Sequence, residues 1–173
     1  MNLIFRLLTV LARSFFAKRL SVLDESVISL RVFPNDLDFY GHMNNGRYLT
    51  LMDLGRVDLI LRTGLGRVAK KNGWNPLIGF TTIRFKKSLK CFHRFHLHTR
   101  IVGWDEKWFF IEQRFERKGK LMAAGLVKGL FRGPDGNAST KEILDGLGCV
   151  MDSPPVSDAV RLWMQWEETM QRL

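Results

Sequence analysis

The densest chemistry in the chain lies in the stretch Asp36-Leu37-Asp38-Phe39-Tyr40-Gly41-His42-Met43-Asn44-Asn45-Gly46-Arg47-Tyr48. It sets two carboxylates, a glycine turn, a histidine and two asparagines directly before a segment of helical periodicity. A helix start carries unpaired backbone N–H groups and the positive end of the helix dipole, so a carbonyl oxygen placed there is polarised and a developing oxyanion is stabilised. Asp38 lies a short loop upstream, and such a loop can fold back to set its carboxylate near the same carbonyl, as nucleophile or as general base for a water. That pairing suits acyl transfer. A thioester is a sensible substrate, because a thiolate whose conjugate acid has a pKa of about 8.5 leaves without a strong proton donor. No GxSxG elbow is present, and neither Cys91 nor Cys149 has a neighbourhood that marks a nucleophile. Asp and Asn also cap helices and make turns, which is the structural alternative for the same residues.

The elements that must position this stretch follow from periodicity. Ser26 to Phe33 reads as a strand ending at Pro34, and about Asn44 to Arg62 as a helix that Gly64 and Gly66 can stop. The Gly64-Leu65-Gly66-Arg67-Val68-Ala69 run follows a helix rather than a strand, so it is expected to be a loop and not a dinucleotide fingerprint. After a second loop around Asn72 to Pro76, four strands are expected: Leu77 to Phe85, one closing at Trp104, a return strand through Phe109 and Phe115, and Leu121 to Phe131. Gly133 to Thr140 reads as a polar loop, and Val156 to Leu173 as a helix whose Trp163 and Trp166 cover a core. This order predicts an α+β architecture, with a sheet edge and part of the helix left for a dimer partner to cover.

Composition narrows the rest. The 173 residues are 46% hydrophobic and 25% charged, with 13 Phe and 5 Trp to build a core, so one ordered domain is the default. The longest uncharged run, Asn72 to Ile83, contains Asn and Pro and falls short of the roughly 20 apolar residues that a spanning helix needs. Two distant cysteines encode neither a disulfide framework nor a cysteine-based zinc site, which points to a reducing, cytoplasmic setting. His93, His96 and His98 are expected to be solvated, without a nearby carboxylate to complete a metal set; no metal or other cofactor is expected. A net charge of +10 favours anionic partners, and two regions concentrate it. Residues 1–16 form an amphipathic helix with Arg6, Thr9 and Arg13 on one side; it can lie peripherally on a membrane or pack on its own domain or a partner subunit. Arg84, Lys86 and Lys87 open a basic stretch that reaches Arg100. Nucleic acid is the weaker reading, because the strands lack an RNP-type pattern of stacking aromatics.

The segment Asp38 to Tyr48, with Leu51-Met52-Asp53 and Arg56, resembles the signature of hotdog-fold acyl-CoA thioesterases of the 4-hydroxybenzoyl-CoA thioesterase-like group, over roughly Ser26 to Arg132. Pro34-Asn35-Asp36-Leu37-Asp38, His42-Met43-Asn44-Asn45 and Val102-Gly103-Trp104-Asp105 are most similar to the membrane-associated thioesterase-superfamily-member-six-like proteins, whose apolar N-terminal anchor residues 1–16 also resemble. The resemblance implies an antiparallel sheet of about five strands wrapped around one long central helix, with extra helices at both ends. It divides the chain into residues 1–25, a thioesterase-like domain 26–133, and a C-terminal loop and helix 134–173. It implies an acyl-CoA substrate, a homodimer with sites between subunits that can pair further into a tetramer, and Asp38 as the catalytic carboxylate. The backbone N–H of Asn45 then polarises the thioester carbonyl, with His42 and Asn44 beside it. Arg84, Lys86 and Lys87 meet the phosphates of coenzyme A, and Tyr48, Leu51 and Met52 line an apolar acyl pocket. The alternative is a non-catalytic acyl-CoA or lipid binding protein at a membrane surface.

Overall fold

The computed structural model describes residues 2–170. In chain order the elements are α1 (Asn2–Phe16), β1 (Ser26–Arg31), α2 (Asn45–Thr63), α3 (Leu65–Asn72), β2 (Asn75–Phe85), β3 (Arg94–Trp104), β4 (Phe109–Arg117), β5 (Lys120–Gly133), β6 (Gly136–Ala138), α4 (Thr140–Gly146) and α5 (Asp158–Met170). The strands form one antiparallel sheet in the order β1-β3-β4-β5-β2, with β6 added to the end of β5. The sheet wraps α2, as expected of the hotdog fold. Alternation in β3 sends Phe95, Leu97, Thr99 and Ile101 inward, opposite Phe115, Gln113 and Ile111 of β4.

α2 approaches the sheet at Gly55, where an added Cβ would lie 2.9 Å from Gln113 Nε2 and closer still to Thr99 Oγ1. The close approach is polar and satisfied. Gln113 Nε2 donates to Met52 O and to Thr99 Oγ1, both at 2.9 Å, while Arg56 donates to Gln113 Oε1 at 2.7 Å. Burial lowers the Arg56 pKa against the opposing pull of Asp53, its ion-pair partner. At the other end of α2, Tyr48 packs edge-on against Phe115 and Phe85, with centroids 4.9 and 5.1 Å away.

Several expectations need correction. The Gly64-Gly66 run is not a loop: Gly64, at φ 84°, ends α2 in the left-handed conformation and α3 starts at once, burying Leu65, Val68 and Ala69. Leu65, Val68 and Ala69 stand at helical spacing, and the left-handed Gly64 lets the chain turn and start a new helix without a loop between. β2 takes in Asn75 and Pro76, which an edge strand tolerates because an outward-facing position needs no N–H. The polar loop 133–140 contains β6, and Ser139 and Glu142 form a reciprocal capping box that opens α4. His98 does have carboxylate neighbours, with Nδ1 2.9 Å from Glu25 and Nε2 3.7 Å from Glu116.

α1 packs through a mixed face, with Val10 buried and Leu3 and Leu7 against the core beside its inward polar residues. Arg6 and Ser14 are buried, whereas Ile4, Phe5, Leu8, Leu11, Phe15 and Phe16 are exposed. Ser14 donates to the buried Asp58 at 2.6 Å, and Asp58 also accepts from Ser26 and Arg62. Of the basic stripe only Arg6 turns fully inward; Thr9 and Arg13 stay exposed, Arg13 reaching back to donate to Val27 O at 3.0 Å. Among the described residues, no helix is long and apolar enough to cross a membrane. At the far end, α5 covers the outer face of the sheet with Val160 and Trp163 against Phe110, and Trp163 stacks on Phe80. Trp166 also reaches Phe80 but stays half exposed.

Candidate active site

The loop before α2 is a small hairpin closed on itself. Leu37 bridges Met43, Asp38 N–H donates to His42 O at 2.8 Å, and Gly41, at φ 72°, makes the turn and donates to Asp38 O at 3.1 Å. The Asp38 side chain is part of this turn. Its Oδ1 accepts from the backbone N–H groups of Tyr40 at 2.9 Å and His42 at 3.2 Å, and Oδ2 accepts no hydrogen bond among the described residues. One oxygen fixes the carboxylate; the other is available.

The same economy governs the helix start. Asn44 caps α2, with its side-chain oxygen taking the Gly46 N–H at 2.9 Å and its carbonyl the Arg47 N–H at 2.9 Å. The intervening N–H of Asn45 has no acceptor among the described residues. It is the orphan donor expected at a helix N-terminus.

Asp38, His42, Asn45 and Tyr48 line one cleft of about 240 Å³, together with Lys86 and Lys87. Phe85, Met43 and Ser88 line it too, and sequence reasoning did not single these out. The extra residues arrive by strand-like pairing: Met43 N–H donates to Leu89 O at 2.7 Å and His42 bridges Lys90, so the segment after β2 closes over the loop. That pairing joins two segments far apart in sequence, and no local signal announces it. Tyr48 is buried, which raises its phenol pKa, while a hydrogen bond from the Leu89 backbone pulls the other way; the phenol stays neutral at ordinary pH.

The remaining expected site residues lie elsewhere. Leu51 and Met52 are fully buried core residues and do not line the cleft. Arg84 is exposed on β2, outside the lining that Lys86 and Lys87 provide. Asn44 acts as the cap and is not a wall of the cleft. A second cavity of about 280 Å³, almost wholly apolar, sits between the C-terminal half of α2 and the start of β2, lined by Val57, Ile60, Leu77, Ile78, Phe109 and Phe131 among others.

Residues 32–164 match the family model described as the thioesterase-like superfamily. Protein THEM6 of Danio rerio is 39% identical over 150 residues, covering 84% of this chain and 71% of that protein. Among solved structures, a probable thioesterase from Bartonella henselae superposes with a TM-score of 0.61 at 20% identity, over 67% of this chain and 98% of that one. A 1,4-dihydroxy-2-naphthoyl-CoA thioesterase from Synechocystis superposes with a TM-score of 0.62 at 14% identity, over 76% and 100% of the two chains. A family match over most of the chain, a relative at this identity and the helix wrapped in its sheet all agree: the chain belongs to the thioesterase-like superfamily, in its hotdog fold.

Proposed function

We propose that the protein hydrolyses the thioester of an acyl-coenzyme A, with Asp38 as the catalytic carboxylate and the Asn45 N–H as the oxyanion donor. The observation that carries this reading is the pairing of two unsatisfied groups on one cleft, Asp38 Oδ2 and the first N–H of α2. With the thioester oxygen on the Asn45 N–H, charge that develops on that oxygen is met by a donor already in place. As general base, Asp38 Oδ2 takes a proton from water while the water oxygen bonds to the carbonyl carbon; the C–S bond then breaks and the thiolate leaves with a proton. As nucleophile, Oδ2 bonds to that carbon directly, the thiolate leaves, and water cleaves the resulting anhydride. Lys86 and Lys87 at the rim suit the phosphates of coenzyme A.

The free edge of β2 supports a homodimer. β2 runs from the apolar cavity at Leu77 and Ile78 to the polar cleft at Phe85. Two copies paired antiparallel along this edge would set the polar cleft of each beside the apolar cavity of the other, giving the acyl group a dry compartment.

A thiol-release assay over a panel of acyl-CoAs, with wild type and Asp38→Asn, tests the reading. Turnover lost in the variant with binding retained supports it, and an acyl adduct on the Asp38 peptide in rapidly quenched samples assigns the nucleophilic route. Binding without turnover by wild type on any substrate overturns it in favour of an acyl-CoA binding protein. The outward apolar face of α1 favours such a protein, or the enzyme itself, working on a membrane surface.

A further inference from the structure

Arg6, on α1, lies outside the matched family region yet reaches the loop that carries Asp38. Its guanidinium donates to both oxygens of Asp36, NH2 to Oδ2 at 2.5 Å and NH1 to Oδ1 at 3.3 Å, and NH2 also donates to Arg31 O at 2.8 Å. Asp36 is fully buried and Arg6 only 8% exposed, so this pair is held away from water. Oδ2 of Asp36 further takes the Phe33 N–H at 2.8 Å, and Oδ1 the Nε of Arg47 in the first turn of α2 at 3.2 Å. Its backbone carbonyl accepts the N–H of Asn44 at 2.8 Å. One residue thus ties together the entry to the loop, the cap of α2 and the N-terminal helix.

We propose that Arg6 is a positioning residue for the thioester site, setting through Asp36 the separation between the Asp38 carboxylate and the Asn45 N–H. Asp38 and Asn45 sit on opposite sides of the hairpin, and the Asp36 O to Asn44 N–H bond closes its neck. Without Arg6 the buried Asp36 charge keeps only Arg47 as a charged partner, and relief comes by moving the loop toward water. A misplacement of about 1 Å can cost about a hundredfold in rate. α1 is also held at Val10 in the core, at Arg13 on Val27 O and at Ser14 on Asp58, so the Arg6 contact does not depend on the Ser14 bond.

The inference rests on the thioesterase reading, so its test carries a readout that needs no turnover. Arg6→Gln is compared with Ser14→Ala, which loosens α1 at Asp58, and with Arg6→Lys, which keeps the charge but not the two-pronged contact. The expected result for Arg6→Gln is a kcat lower by about tenfold to a hundredfold with KM within about threefold, partly restored in Arg6→Lys. Ser14→Ala should lower the melting temperature and leave kcat unchanged. Amide hydrogen exchange should show protection lost at Asn44, Tyr40 and His42 in Arg6→Gln and retained in Ser14→Ala. Equal effects of Arg6→Gln and Ser14→Ala, or unchanged exchange at those three amides, overturn the proposal. Should Arg6→Gln not fold, Arg6→Lys is read by the same criteria. A wild type that turns over no thioester defeats the functional reading alone, and the exchange result still decides the positioning.

Discussion

The backbone N–H of Met43 donates to the carbonyl of Leu89 at 2.7 Å, and this bond, with the adjoining bridge between His42 and Lys90, holds the segment after β2 against the loop that carries Asp38. Lys86 and Lys87 come with it, their own N–H groups both held by Met122 O at 2.8 and 2.9 Å. A carboxylate and two ammonium groups that sequence keeps well apart thereby border one cleft.

Lys86→Ala and Lys87→Ala should each raise KM for acyl-CoA by about fivefold with little change in kcat, since exposed charge pairs contribute about 1 kcal/mol or less. The effect should shrink as salt rises. Steady-state kinetics at two ionic strengths check this, with an acyl-pantetheine substrate lacking the nucleotide as control. Equal KM changes on both substrates would remove the phosphate assignment.

Gly55→Ala should destabilise the fold by about 1–3 kcal/mol, because the new methyl meets Thr99 Oγ1 and Gln113 Nε2 in a packed, hydrogen-bonded contact. Urea denaturation monitored by tryptophan fluorescence measures it. A neutral effect would show that α2 can lift from the sheet at little cost.

Acid should weaken the turn beneath the site. His93 Nδ1 accepts the Lys90 N–H at 3.0 Å, which only the ring unprotonated at that nitrogen can do. Burial, then Arg117, Lys90 and Lys118, lower the His93 pKa below its ordinary 6.5. The folded chain therefore binds this proton less readily than the unfolded one, so the stability His93 contributes is present above pH 6.5 and is lost as pH falls through the depressed value. Melting temperatures of His93→Gln should fall less steeply than those of wild type below pH 6.5, and parallel curves would discount the effect.

The outward face of α1 should partition into lipid. Phe15 and Phe16 are among the most exposed apolar side chains, and Arg19, Arg67, Lys70 and Lys71 border the groove beside Leu11 and Phe15. Wild type should sediment with vesicles containing phosphatidylserine more than with neutral ones, and Phe15→Ser with Phe16→Ser should lose most of that binding. Equal recovery of wild type and variant would assign the face to another partner.

What the sequence by itself determined was local. The loop and cap from Asp38 to Asn45 follow from turn and capping chemistry among neighbours, and β3, β4 and β5 from alternation between short turns. Periodicity also gave α1 two faces, but a period names no inside. Only the tertiary structure, by offering the buried carboxylates Asp36 and Asp58, drew Arg6 and Ser14 inward beside Val10 and left the phenylalanines outside. The same holds for His98, whose partner Glu25 lies 73 residues away, and for Lys86 and Lys87, which reach the cleft while nearby Arg84 does not. Those outcomes depend on which distant polar group or strand arrives to satisfy a buried charge or an open N–H, and that is settled when the sheet closes around α2.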